Sequence, residues 1–306
     1  MVEAAPARLP PGGEAQGVVG FSFWSQFWRR FLRNRAAVSA AAVLLLLLAA
    51  AALAPVLAPA DPASIVTRDR LLPPGSLSRV NPQLHYWLGT DNTGRDILSR
   101  LLFGGRVSMT VGLITAAISI SIGTVVGATA GYYGGAVDNV LMRCVDFLLI
   151  TPRLPLIIII LTVFPRSLLL LLLLLGLTAW GGVARLVRAE YLSLRTRDFV
   201  EAARAQGASD RRIIFRHILP SAMAPLIVNA TFQVAGTILL ESVLSFLGLG
   251  VQPPTASWGN MLFGAQDILA VAPWTSILPG LAISVAVLSF NLLGDGLRDA
   301  LDPRLT

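Results

Sequence analysis

Long uncharged apolar runs alternate with polar connections along this chain. A hydrocarbon core of about 30 Å takes roughly 20 helical residues to cross. The runs predict six membrane-spanning helices over 36–58, 107–131, 137–164, 167–187, 222–247 and 274–293, so the fold class is an all-α membrane protein. Pro152 and Pro155 interrupt the third run. Each removes a backbone donor, which predicts a kink there. Gly123, Gly127 and Gly131 recur every four residues in the second run. Small residues at that spacing let helices approach closely, so packing is the reading taken, with a lining role as the alternative.

The flanks read differently. Residues 1–20 are rich in Pro, Gly, Ala and Glu without periodicity and read as a disordered tail. Over 21–35, Trp24, Phe27, Trp28 and Phe31 recur at helical spacing among Arg29, Arg30, Arg33 and Arg35. That pattern suits a short interfacial helix in the headgroup region; a plain juxtamembrane linker is the alternative. Residues 59–106 form a long polar segment, 107–296 a core with five of the spans, and 297–306 a polar tail.

Composition agrees with a membrane protein: apolar residues are 55%, charged residues 13% and mean hydropathy +0.70. A soluble domain carries roughly 25% charge. All the basic residues are Arg, and a phosphate-binding P-loop needs a Lys, so this chain cannot carry one. Cys144 stands alone, which rules out an internal disulfide and a Cys-based zinc site. His85 and His217 lie far apart, and no HExxH or GxSxG motif occurs. The net charge of +7 is not a nucleic-acid signature, because the Arg residues cluster at the ends of apolar runs. Short-loop Arg on the amino-terminal flank, on the loop after span four and at Arg298 and Arg304 predicts that both termini and that loop are cytoplasmic.

The loop between spans four and five, 189–220, is the most informative segment. Asp198 followed by Glu201 predicts a capping box and a helix start. Gly207 should end that helix in a left-handed cap. Ser209 should cap a second helix, which Pro220 should stop or bend into span five. Ala202 and Ala203 give the first helix a narrow side, and Phe199, Ile213, Ile214 and Phe215 supply apolar contact. From residues alone, a loop lying on lipid headgroups fits as well as a docking element. His217 reads as a helix C-terminal contact.

Glu201-Ala202-Ala203, Gly207 and His217-Ile218-Leu219-Pro220 resemble the EAA loop of binding-protein-dependent ABC importer permeases. Further motifs resemble the C-type subunit of the dipeptide, oligopeptide and nickel permeases. They are Gly89-Thr90-Asp91 with Gly94-Arg95-Asp96, Ser99-Arg100, Gly104 and Arg106; Gly131-Tyr132-Tyr133-Gly134-Gly135 with Asp138, Met142-Arg143 and Asp146; Phe246-Leu247-Gly248-Leu249-Gly250 with Gln252-Pro253-Pro254 and Ser257-Trp258-Gly259; and Asn291-Leu292-Leu293-Gly294-Asp295 with Leu297-Arg298-Asp299 and Leu301-Asp302-Pro303-Arg304. The likeness covers about residues 22–306. Arg153, between the two prolines, departs from it where an apolar residue is expected.

The resemblance implies a type I ABC importer permease fold with a cytoplasmic coupling helix, inserted in a bacterial inner membrane. It implies a homologous non-identical permease, two ABC ATPase subunits and an extracytoplasmic solute-binding protein as partners. ATP and Mg would be used by the ATPases, with no cofactor bound by this chain. The implied docking residues are Phe199, Glu201, Ala202, Ala203, Gly207, Ser209 and Arg212, with Glu201 meeting an ATPase Arg and a purely local capping role as its alternative. Polar positions on span five, Asn229, Gln233 and Ser245 with Glu241 beside them, are candidate pathway groups, as are Asn291 and Asp295 on span six. Interhelical hydrogen bonding is the competing reading for each. Peptides are the favoured cargo, with nickel chelates or another small solute as alternatives. An intramembrane hydrolase lacks a catalytic set within the spans, and a secondary transporter leaves the 189–220 loop unexplained.

Overall fold

The computed structural model describes residues 23–301, with side chains from Phe27 onward. The tail expected over 1–20, the Trp24 side chain, and Arg304 with the rest of 302–306 lie outside the described residues. Among the described residues, thirteen α-helical segments follow in order: α1 Phe23–Arg33, α2 Arg35–Ala52, α3 Ala54–Leu57, α4 Ile97–Tyr133, α5 Gly135–Ile150, α6 Arg153–Val163, α7 Leu168–Leu177, α8 Trp180–Leu194, α9 Asp198–Ala205, α10 Asp210–Arg212, α11 Leu219–Phe246, α12 Trp258–Leu262 and α13 Trp274–Leu301. Between α3 and α4 lies one small antiparallel pair, β1 Ser76–Leu77 with β2 His85–Tyr86. Among the described residues, five helical stretches are long and apolar enough to cross a membrane, and α5 with α6, bent by 76° at the break between them, pass the same test together.

The second span is longer than its apolar pattern suggests. Helix α4 runs 37 residues, roughly 55 Å at 1.5 Å per residue. It starts at Ile97 rather than near 107 because the Asp96 side chain accepts from the Ser99 N–H and caps it. Arg100 and Arg106 then sit on its first turns, ahead of the uncharged run. Helix α4 is the central element, packing on α8, α11, α7 and α2. Its glycines let α8 approach closely. A Cβ on Gly123 would lie 2.5 Å from Val183 Cβ, and one on Gly127 would lie 2.3 Å from the Ala184 carbonyl oxygen. The glycine stripe therefore packs, as the sequence suggested.

The kink in span three falls between Ile150 and Arg153, where the prolines predicted it. Arg153 now has a structural account. Span four breaks between α7 and α8, and Arg153 donates to the Leu175 carbonyl (2.9 Å) and the Thr178 hydroxyl (3.0 Å) at that break. It supplies a donor to the Leu175 carbonyl at a helix end, where intrahelical donors run out. The guanidinium thus joins the bend of one span to the break of the next.

The two ends of the bundle are distinct. At the α4 amino terminus lie the 59–96 segment, α12 and the start of α13, where Trp274 Nε1 donates to the Thr90 carbonyl. At the α4 carboxyl terminus lie α9 and α10. Helix α1 lies at the other end of α13, with Phe27 and Phe31 buried against Ala300. The expected aromatic face of α1 is therefore divided. Phe27 and Phe31 pack on the protein, while Trp28 and Leu32 stay exposed.

Candidate functional site

The loop after α8 folds as a helix, a glycine turn and a second helix. Gly207 sits at φ +77°, the Gly207 N–H donates to the Arg204 carbonyl, and the Ala208 N–H donates to the Ala203 carbonyl. That is the Schellman termination expected for a glycine after a helix. The expected caps differ in detail. Arg197, not Asp198, occupies the N-cap position of α9, with no side-chain cap bond. Asp198 and Glu201 both fall inside the first turn, where negative charge meets the positive end of the helix dipole. Ser209 does occupy the N-cap position of α10 but makes no side-chain cap bond. Pro220 does not end the second helix. The chain widens into a π-helical turn over Ile213–Ile218 and continues as α11, so the stretch from Asp210 to Phe246 is unbroken.

The candidate docking residues divide by face. Phe199, Glu201, Ala202, Gly207, Ser209 and Arg212 are exposed, and Phe199 keeps 40% of its surface free. Ala203 is not available. It lies one turn from Val200, and both pack inward against Ile213 and Ile214. Ile213 and Ile214 are likewise core residues rather than contacts for a partner, which leaves Phe199 and Phe215 as the exposed apolar groups.

The loop is fastened to the bundle by residues around the end of α4. Tyr132 Oη donates to Asp210 at 2.7 Å, and the Arg204 guanidinium lies 5.4 Å from the Tyr132 ring centroid. Arg195 donates to the carbonyls of Gly131 and Tyr132, both at 3.2 Å. Tyr191 Oη donates to the Ile214 carbonyl. Arg188 and Asp138 form a two-pronged ion pair between α8 and α5. The Gly131–Gly135 motif is thus the floor on which the loop stands. Sequence reading found the motif but not its contact with the loop, because Tyr132 and Asp210 are 78 residues apart.

The span-five stripe is placed differently from the expectation. Glu241 is fully buried within this chain. Its carboxylate accepts from Ser108 on α4 (3.2 Å), Ser245 (2.7 Å) and Ser257 (3.0 Å). Ser245 also accepts from the Val251 N–H, Ser108 accepts from the Trp258 N–H, and Ser257 caps α12. Glu241 and Ser245 therefore organise the chain segment 247–258, and the Glu241 side chain is enclosed in this conformation. Gln233, half-buried, donates to Ser119, and Asn229 Oδ1 is enclosed without a partner among the described residues. On α13, Asn291 is half-buried and Asp295 exposed.

A model of the family described as binding-protein-dependent transport system inner membrane component matches residues 123–306. The chain belongs to that family. This permease also matches, over 22–74, the N-terminal transmembrane domain of oligopeptide transport permease C. Among its relatives is a glutathione transport system permease protein from Pectobacterium atrosepticum, 42% identical over 92% of this chain and 91% of the relative. Two from Haemophilus influenzae, a dipeptide and an oligopeptide transport system permease protein, are each 40% identical. They cover 92% and 95% of this chain and 94% and 92% of their own lengths. The permease is thus a multi-pass inner-membrane component of a transport system.

Proposed function

We propose that this permease forms half of the solute pathway of an ATP-driven peptide importer. Its partners would be a homologous non-identical permease, two ABC ATPase subunits that use ATP and Mg, and an extracytoplasmic solute-binding protein. The amino-terminal helix, the 189–220 loop and the end of α13 would face the cytoplasm, and the 59–96 segment the outside. The observation that carries the reading is the loop itself. Phe199, Glu201, Ala202 and Arg212 stand free on a short helix pair whose other face is locked to the end of α4. Such an element transmits a rigid-body movement between a subunit docked below and the spans above, as alternating access requires. Peptide cargo is supported by the relatives, which are glutathione, dipeptide and oligopeptide transport system permease proteins. Nothing in the role asks this chain for covalent chemistry. Asn229 and Gln233, on the part of α11 not occupied by the Glu241 cluster, remain the proposed pathway groups.

Uptake by vesicles containing the four membrane subunits tests this. With the binding protein outside and ATP inside, a labelled dipeptide should accumulate. Vesicles lacking the ATPases should neither accumulate it nor leak it. Accumulation without ATP would point to a secondary transporter instead.

A further inference from the structure

We propose that a cavity at the α4 amino-terminal end binds the carboxylate of the cargo peptide, with Arg95, Arg100 and Arg166 as its cationic wall. The proposal rests on the peptide-import reading and on the orientation that makes this end external. The cavity has a volume of about 490 Å³, and its described lining contains those three Arg with Asn92 and Thr93 and no carboxylate. That volume falls in the range of small-molecule sites, about 300–1,000 Å³.

Arg100 is the decisive residue. The residue is 4% exposed, yet its partners are all distant: the Pro62 carbonyl at 3.3 Å, Asn260 Oδ1 at 3.4 Å and Asp91 Oδ2 at 3.7 Å. Charge-assisted hydrogen bonds to carboxylates run about 2.7–2.9 Å. A buried guanidinium is costly unless such partners satisfy it. The nearby carboxylate is already committed, because Asp91 takes Arg95 Nε at 2.7 Å and accepts from Thr93 and the Arg95 N–H. Arg166 reaches the same cavity from the turn between α6 and α7, with one N–H on the Gly248 carbonyl. Arg95 and Arg100 thus share one occupied carboxylate, and Arg166 brings a third guanidinium to the same cavity. A ligand carboxylate supplies the missing acceptor, and the planar fork of Arg suits it.

The same chemistry could come from the cargo or from an acidic side chain on the binding protein, and one experiment separates them. The complete importer is reconstituted in vesicles, and binding protein is added carrying either a dipeptide or the same dipeptide amidated at its carboxyl terminus. Uptake is expressed per loaded binding protein. Arg100→Gln and Arg166→Gln should each slow uptake of the free-carboxylate dipeptide about tenfold at saturating binding protein. The loss should be confined to that cargo, and the binding-protein concentration for half-maximal uptake should not change. Equal slowing of both cargos overturns the site. A higher half-maximal concentration with saturated rates retained assigns the carboxylate to the binding protein and also overturns it. If Arg100→Gln does not assemble, Arg166→Gln, which is exposed and holds a single carbonyl, decides alone. Failure of the wild-type complex to take up either dipeptide would instead count against the importer reading.

Discussion

Tyr132 Oη donates to Asp210 at 2.7 Å, so the last turn of the long central helix α4 is bonded to the first residue of α10. Arg204, on the other helix of the loop, lies against the Tyr132 ring. One aromatic side chain therefore touches both arms of the helix pair. A push on either arm reaches α4, and α4 packs most extensively on α8, α11, α7 and α2.

Tyr132→Phe should keep the ring and its Arg204 contact while removing the bond to Asp210. A hydrogen bond of this kind contributes about 1 kcal/mol. We expect the complex to assemble in normal yield and to take up less peptide per ATP hydrolysed. Parallel measurement of uptake and phosphate release gives that ratio. An unchanged ratio would mean that Tyr132 anchors the loop without transmitting movement.

Gly127→Ala should destabilise the bundle, because the added Cβ would sit 2.3 Å from the Ala184 carbonyl oxygen. Overpacking of this kind costs about 1–3 kcal/mol. Gly182→Ala is the control, since its Cβ meets nothing within 4 Å. Thermal unfolding in detergent should show a lower midpoint for Gly127→Ala alone. Equal midpoints would contradict the packing of α4 on α8.

The spans and the loop were legible in the sequence because each carries a local signal. Apolar runs marked the bundle, Pro152 marked the bend, and Gly207 marked the turn. What escaped depended on contacts distant in sequence. The start of α4 was missed because Asp96 caps a turn that is still charged. Ala203 looked free because one helix gives no sign of which side its neighbour will cover, and Val200 shows that side only once Ile213 packs on it. Glu241 looked like a pathway group because an acid within a span must meet water or a partner. Its partners, Ser108 and Ser257, lie 133 and 16 residues away. Arg153 had no reading until the break at Thr178 was seen.

The Glu241 cluster makes a different prediction from a pathway role. In a background with Cys144 replaced, Glu241→Cys should resist a small hydrophilic thiol reagent with and without trapped nucleotide. Glu241→Gln should lower thermal stability, because the amide nitrogen that replaces one carboxylate oxygen cannot accept from the serine hydroxyl there. Labelling in the nucleotide-trapped state would return Glu241 to the pathway.

The 59–96 segment is built around buried Asp69. Burial pushes its carboxyl up, but hydrogen bonds from Ser78, the Arg79 N–H and Tyr86 outweigh that and hold it below its ordinary value. A carboxyl lowered by folding stabilises the fold above its unfolded value, about 3.9, and loses that contribution as pH falls through the lower folded value. Tyr86 runs the opposite way. Burial, then the bond to Asp69, pushes its phenol up to about 12. Its contribution is complete below about pH 10 and is lost as pH rises through about 12. Ultraviolet titration of wild type against Tyr86→Phe should show the Tyr86 phenolate only near pH 12. Its appearance near pH 10 would mean that the Asp69 network is not formed.

The central claim is that the 198–212 helix pair docks on an ATPase subunit. A benzophenone-bearing phenylalanine analogue in place of Phe199 tests it most directly, because that side chain is exposed and already aromatic. The same analogue in place of Leu77, which is exposed on the 59–96 segment, is the control. After illumination of the assembled complex, the probe at 199 should yield an adduct with an ATPase subunit, and the probe at 77 none. An ATPase adduct at 77 and none at 199 would contradict the account.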